Sequence, residues 1–275
     1  MKKGFLLLLF VTLACSSLFA QSSKTNSDVK STKAVPKWLS REKMWFAWGY
    51  NKEWYTRPDI HVVQPALNND YTYLAVKAHD NPGWNTKSIF KMALTIPQYN
   101  YRIGYWINEE KGWGIELNFD HTKHIIADSQ MVRIQGTLNG RYTDSLILWQ
   151  RKSGNYYFLN NGANFLLLNV VKRWNWYTCP TAPIRIDAIG RFGVGPLIPH
   201  VENELFGRHN QTQFQFGGWN TGLEFGIRAS FYHKLYLEFT NKADYARYYN
   251  LNVYEGTARE AFGTYEMIGT VGLMF

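Results

Sequence analysis

Residues 219–231 read Trp219-Asn220-Thr221-Gly222-Leu223-Glu224-Phe225-Gly226-Ile227-Arg228-Ala229-Ser230-Phe231. Every second residue, from Trp219 through Leu223, Phe225 and Ile227 to Phe231, builds one apolar face, with Thr221 and Ala229 in the same row. The other face holds Asn220, Gly222, Glu224, Gly226, Arg228 and Ser230. A period of two marks a β-strand whose two faces meet different surroundings. The pattern recurs in both directions along the chain. Segment 97–107 sets Tyr99, Tyr101, Ile103, Tyr105 and Ile107 against Asn100, Arg102 and Gly104. Segment 112–121 sets Trp113, Ile115, Leu117 and Phe119 against Gly114, Glu116, Asn118 and Asp120. Segment 183–194 sets Ile184, Ile186, Ala188, Phe192 and Val194 against Arg185, Asp187 and Arg191, and the last segment aligns Tyr265, Met267, Val271, Leu273 and Phe275. Segments 44–52, 162–173 and 234–246 complete a set of eight strands of about ten residues, the length that crosses a bilayer at a tilt.

The connections alternate strictly between short and long. Asn108–Lys111, Arg173–Thr181 and Tyr232–Lys234 are short; 53–96, 125–161, 195–213 and 247–263 are long. Tight turns at one rim and long loops at the other describe an eight-stranded antiparallel up-and-down transmembrane β-barrel, all-β in class. A soluble barrel has no reason to place all its long loops at one end, and it buries its aliphatic face. The polar faces carry Arg102, Arg185, Arg191 and Arg228 with Glu116, Asp120, Asp187, Glu224, Glu238 and Glu266. Facing lipid, each basic residue costs about 2–4 kcal/mol at mid-depth. A soluble core would have to pair every charge. Inside a narrow barrel the ten groups neutralise one another, so the apolar face is expected outside and an ion-paired lumen within.

The remaining sequence fits an envelope protein. Of 275 residues, 45% are hydrophobic and 17% aromatic, yet mean hydropathy is only -0.33. That composition excludes a disordered chain and a helical membrane bundle. Lys2 and Lys3 precede the apolar run 5–14, and small residues lead to Ala20, the pattern of a secretory signal peptide over 1–20. Cys15 gives the rival reading of a lipoprotein cleavage site, with Thr12 where a large aliphatic residue is usual. Residues 21–43 are a basic polar tail, and 44–275 form the barrel with its loops. Eight Lys/Arg against two Asp/Glu in residues 1–43 leave only +3 of the net +9 for the rest. Nucleic-acid binding needs clustered charge on the folded part and is excluded. Cleavage after Ala20 leaves Cys179 alone, which rules out an internal disulfide.

The stretches Trp48-Gly49-Tyr50-Asn51, Tyr55-Thr56, Asp59-Ile60-His61, Val76-Lys77-Ala78 and Thr95-Ile96-Pro97-Gln98-Tyr99-Asn100-Tyr101-Arg102-Ile103-Gly104-Tyr105, with Asp120-His121-Thr122-Lys123, resemble a set of outer-membrane β-barrel proteins from Bacteroidota. The resemblance is clearest over 44–125. It implies a signal peptide and a place in the outer membrane of a Gram-negative, flavobacterial-type cell, and it supplies no catalytic residues. Phe275 ends the chain as the last residue of an alternating strand, the usual feature read by the barrel insertion machinery.

Chemistry-bearing residues are few. Asp120-His121-Thr122-Lys123-His124 places an imidazole beside a carboxylate near the outer rim, so Asp120, His121 and His124 are the catalytic candidates. Residues three apart on one strand point to opposite faces, which argues against a shared metal. No Gly-x-Ser-x-Gly or His-Glu-x-x-His occurs. His61, His79, Asp59, Asp70 and Asp80 lie in the first long loop without the regular acid spacing of a calcium loop. No cofactor and no metal are expected. Asn210-Gln211-Thr212 fits an N-glycosylation triplet, and Asp144-Ser145-Leu146 looks like the O-glycosylation triplet of Bacteroidota, at Ser145. Segment 131–149 is expected to form a hairpin above the membrane.

The functional expectation is a structural or surface-binding role through the outer loops, toward an unknown extracellular ligand, with outer-membrane lipids and lipopolysaccharide around the barrel. The alternative is an enzyme acting on lipid A or phospholipid; a small, porin-like diffusion pore comes third.

Overall fold

The computed structural model describes residues 43–83, 98–159, 162–232 and 234–275. The expected signal peptide, tail and Cys15 lie outside these residues. In chain order the strands are β1 (Met44–Tyr55), β2 (Ile60–Gln64), β3 (Asn69–Leu74), β4 (Ala78–His79), β5 (Tyr99–Asn108), β6 (Trp113–Asp120), β7 (His124–Ile126), β8 (Gln130–Leu138) and β9 (Arg141–Trp149). They continue as β10 (Tyr156–Leu159), β11 (Phe165–Thr178), β12 (Ile184–Leu197), β13 (His200–Leu205), β14 (Arg208–His209), β15 (Gln213–Phe214), β16 (Gly218–Phe231), β17 (Leu235–Val253) and β18 (Gly256–Met274).

Eight of these, β1, β5, β6, β11, β12, β16, β17 and β18, pair antiparallel in that order. β18 returns to β1, with Trp45 opposite Met274 and Tyr55 opposite Thr264. The ring is therefore closed and up-and-down, and its strands are the eight alternating segments. Phe275 and Met44 exchange two backbone hydrogen bonds of 2.9 Å at the seam, which pins the chain end to the first strand.

The wall is inside-out relative to a soluble protein. Phe192 is 58% exposed while its neighbour Arg191 is 3% exposed. Ile103, Leu117, Leu168, Val170, Leu223, Phe225, Leu237, Phe239 and Leu273 are all exposed on the outer surface. The blurred run Leu166-Leu167-Leu168 keeps the rule, since Leu167 is buried and Leu168 exposed. On β17 the outward row runs Leu235, Leu237, Phe239, Asn241, Ala243, Tyr245 and then Arg247. Its apolar part covers about eleven residues, enough to span a hydrocarbon layer at a tilt. Asn241 on that row accepts a 2.6 Å hydrogen bond from the Tyr265 hydroxyl. Aromatic pairs cap the belt at its upper edge, Trp54 with Tyr265 at 5.7 Å and Trp219 with Tyr245 at 5.8 Å between ring centroids.

Beyond that edge the structure corrects the sequence reading. Residues 247–263 are not a loop: β17 and β18 continue as a paired hairpin to Val253 and Gly256. The other long connections are folded as well. β2, β3, β8 and β9 extend the β18 edge as one sheet, and β4, β7, β10, β13 and β14 form a second, with β15 on β13. Their facing side chains share one apolar core that includes Ile60, Val62, Tyr73, Val132, Ile134, Ile126, Tyr157, Leu159, Val201 and Leu251. The outer "loops" thus make a two-sheet cap. Their strands are short because each needs only a few residues to cover its share of that core. Segment 130–149 is the hairpin β8–β9 within the cap.

Candidate functional site

The lumen is filled in layers. At the short-turn end it holds an apolar floor of Trp45, Ala47, Trp106, Val171, Ile189, Tyr236 and Met274. This apolar layer stands in addition to the ion pairs expected of the lumen. Gly104 makes room for the floor, because a Cβ there would lie 2.0 Å from the Trp45 ring. Above it sits a cluster of three arginines and three glutamates. Arg191 reaches Glu116 at 2.9 Å, Glu224 at 2.9 Å and Glu238 at 2.8 Å. Arg102 holds Glu224 at 2.8 Å, and Arg228 holds Glu238 at 2.7 Å. Trp45 ties the floor to the cluster by donating its indole N–H to Glu116 at 2.9 Å, and Arg228 lies 3.9 Å above the Tyr236 ring centroid.

Arg185 and Asp187 form their own 2.8 Å pair near the turn and do not join this cluster. Asp120 and Glu266 belong to a higher layer organised by Lys242, which lies 2.5 Å from Asp120, 3.0 Å from Asp244 and 3.8 Å from Glu266. Sequence reasoning missed Lys242 and Asp244. The available signal was parity: both stand an even number of residues from Glu238 on the same strand. Glu53 was missed too. It accepts hydrogen bonds from Asn51 at 2.7 Å and from the Tyr55 hydroxyl.

The three catalytic candidates are not brought together. β6 ends at Asp120, so His121 and His124 do not share a strand. Asp120 is occupied by Lys242 and by the Asn118 amide at 2.9 Å. His121 stacks on Tyr99 at 4.6 Å and its Nδ1 meets Asn164 Oδ1 at 2.8 Å; burial holds its pKa below the ordinary value. His124 is fully buried in the cap, stacked on Phe262 at 4.2 Å and 4.0 Å from Glu260. Neither of its ring nitrogens has a hydrogen-bond partner among the described residues. Burial pushes His124 down to about 3 and Glu260 up to about 8, so both are neutral at pH 7. No described serine, threonine or cysteine hydrogen-bonds to either imidazole, the arrangement nucleophilic catalysis needs.

Among the described residues no group of three or more His, Cys, Asp or Glu comes together to hold a metal. His61 pairs with Asp70 at 2.7 Å, Asp80 takes Lys52, and His79 Nδ1 meets the Asp80 carbonyl at 2.7 Å. Cys179 lies in the turn after β11, with Thr181 Oγ1 3.5 Å away.

What the structure does present is a surface. β9 ends the larger sheet, and its outer edge has no strand beside it among the described residues. On the outer face of the β8–β9 hairpin, Met131, Tyr142, Leu146 and Leu148 are 59%, 71%, 65% and 49% exposed. Arg133 and Asp144 sit among them in a bidentate pair with both contacts at 2.7 Å, which holds the Asp144 carboxyl below the usual range. Ser145 is exposed on the same strand.

Fold and site together define a class: a closed, internally sealed antiparallel β-ring carrying a folded β-cap. No family model matches the chain and no curated protein does. Among solved structures it is similar to Neisserial surface protein A, at 9% identity and a TM-score of 0.34, covering 84% of this chain and 97% of that one. It is also similar to Ail, the attachment invasion locus protein of Yersinia pestis, at 13% identity and a TM-score of 0.33, covering 86% and 100%. A second Ail structure, in complex with the heparin analogue sucrose octasulfate, scores 0.32 at 13% identity, covering 85% and 98%. Likeness at this level carries no functional weight, and the chain's own geometry has to.

Proposed function

We propose that this chain is an integral outer-membrane β-barrel protein that binds a partner at the cell surface through its cap. The belt of exposed apolar side chains, bounded by aromatic pairs and backed by a charged lumen, supports the membrane assignment. The sequence resemblance adds a Bacteroidota host and a cleaved signal peptide as the finer expectation. The observation that carries binding is the β8–β9 hairpin. An uncovered edge strand offers its backbone groups to an incoming strand, and four large apolar side chains stand exposed beside it. Rigid presentation favours recognition, since little ordering entropy remains to be lost on binding.

The test uses the full-length protein on intact cells with a photo-crosslinking residue at Ser145. A discrete crosslinked partner is expected. It should disappear when Met131, Tyr142, Leu146 and Leu148 are all changed to Ser. Crosslinks that survive this change would remove the hairpin from the binding reading, and extraction of the wild-type chain by alkaline carbonate would remove the membrane reading.

A further inference from the structure

On the outer wall, where β17, β18 and β2 meet, two arginines stand without acidic partners among the described residues. Arg247 projects from β17 two residues beyond Tyr245, about 7 Å further along the strand. Arg259 projects from β18, with His61 opposite it in register on β2. A groove of about 230 Å³ lies between them, lined by Tyr245, Arg247, Arg259, His61, Asp59 and Glu260. It adjoins a hollow of about 220 Å³ lined by Arg259, His61 and Tyr249. Both arginines are exposed. Of the acids at hand, Glu260 is buried, Asp59 accepts the Ala75 N–H at 2.7 Å, and Asp70 pairs with His61 at 2.7 Å.

Position supplies the ligand's identity. Below this level Arg102, Arg191 and Arg228 all point into the lumen. Arg247 and Arg259 point outward just past the aromatic edge of the belt, where lipid headgroups begin. A guanidinium is a planar fork that matches two oxygens of a phosphate and is only weakly hydrated. Cationic side chains at this depth gain further from the negative membrane surface. The flanking tyrosines suit the boundary between acyl chains and headgroups.

We propose that this groove binds the phosphorylated headgroup of an outer-leaflet lipid, with Arg247 and Arg259 holding the phosphate oxygens and His61 walling the site. The proposal rests on the outer-membrane reading above. It gives the barrel a fixed lipid at one point on its perimeter, on the wall that rises into the cap.

Full-length protein in a phosphate-free detergent is mixed with bisphosphorylated lipid A, with the same lipid after phosphatase treatment, or with inorganic phosphate. Retained lipid is read by native mass spectrometry. Wild type is expected to retain the phosphorylated lipid, and Arg247→Gln/Arg259→Gln to lose retention about tenfold or more, as expected for lost charge-assisted hydrogen bonds. The phosphatase-treated lipid should be held no better by wild type than by the double variant. Arg247→Lys/Arg259→Lys, which keeps the charge without the fork, should fall between them. Lys111→Gln/Lys234→Gln, a charge-matched change at the opposite rim, should retain lipid as wild type does.

Equal retention by wild type and Arg247→Gln/Arg259→Gln overturns the site. An equal loss in the opposite-rim variant overturns it in favour of net charge. Displacement of the lipid by inorganic phosphate assigns the groove to free phosphate instead. Heat-shifted gel mobility verifies that each variant is folded, and the carbonate extraction above separates failure of this site from failure of the membrane reading.

Discussion

Arg191 is the residue on which the lumen turns. One guanidinium bridges Glu116, Glu224 and Glu238, while Arg102 and Arg228 complete a six-member cluster with no net charge. Arg191→Met leaves an uncompensated buried carboxylate, a defect worth about 3–5 kcal/mol. The heat-induced shift in gel mobility should therefore occur at a clearly lower temperature in Arg191→Met than in wild type, and Arg191→Met/Glu238→Gln should recover part of the difference. Period-two reading placed these arginines and glutamates on one face, because strand parity is local. It could not place His124, whose partners Phe262 and Glu260 are more than 130 positions away. That pairing has a pH signature of its own. Glu260, pushed up to about 8 from an ordinary 4.5, keeps its proton in the folded cap while the unfolded chain has lost it. Stability therefore falls with rising pH between about 4.5 and 8. His124, pushed down to about 3 from 6.5, acts in the opposite sense between about 3 and 6.5. The two slopes offset each other from 4.5 to 6.5, leaving a net fall only from 6.5 to 8, of at most about 1.4 kcal/mol per pH unit. Protease resistance of the wild-type cap should drop between pH 6.5 and 8, and in Glu260→Gln it should not. An equal drop in both proteins would place the titrating group elsewhere.

At the scale of elements, legibility follows strand length and what each face meets. The wall strands were readable because lipid on one side and a polar lumen on the other impose alternation over ten or more residues. The upper halves of β17 and β18 were not. The outward row turns polar at Arg247, and a register shift between Tyr248 and Leu251 breaks the parity. Backbone pairing carries the strands onward without the side-chain signal. Cap strands such as β2, with five residues, and β10, with four, are too short to show a period at all. What holds them is the core between the two sheets, and Ile134 is wholly buried in it. Ile134→Asp puts a charge there with no partner, a change that cores do not absorb. The cap is expected to become open to added protease at the turn Asn139-Gly140, while the ring keeps its heat-shifted gel mobility. Joint loss of both would show cap and ring to be one cooperative unit.

At the scale of the molecule, the same layers decide whether anything passes through. Eight strands enclose a space that their own side chains can fill. Here it is filled three times over: by the Trp45–Trp106 floor, whose rings lie 4.4 Å apart, by the arginine–glutamate cluster, and by the Lys242 layer. The cap core closes the upper mouth, with the Tyr248 hydroxyl bonded to the Ala163 carbonyl at 2.9 Å. Each seal rests on different physics. Apolar packing is insensitive to salt, while buried ion pairs are screened far less than surface ones. No single change should therefore open a path. In planar bilayers wild type is expected to show no stable conductance at low or high salt, and neither Ile134→Asp nor Arg191→Met alone should create one. Trp45→Ala/Trp106→Ala removes the floor but leaves the charged layers intact, so it too should stay closed. Removal of the floor together with the Arg191 and Glu238 charges leaves the Lys242 layer and the cap core in place, so that variant too should give no steps. Stable steps from the wild-type protein would mean that these layers move apart in a membrane, and the sealed-scaffold reading would give way to a pore.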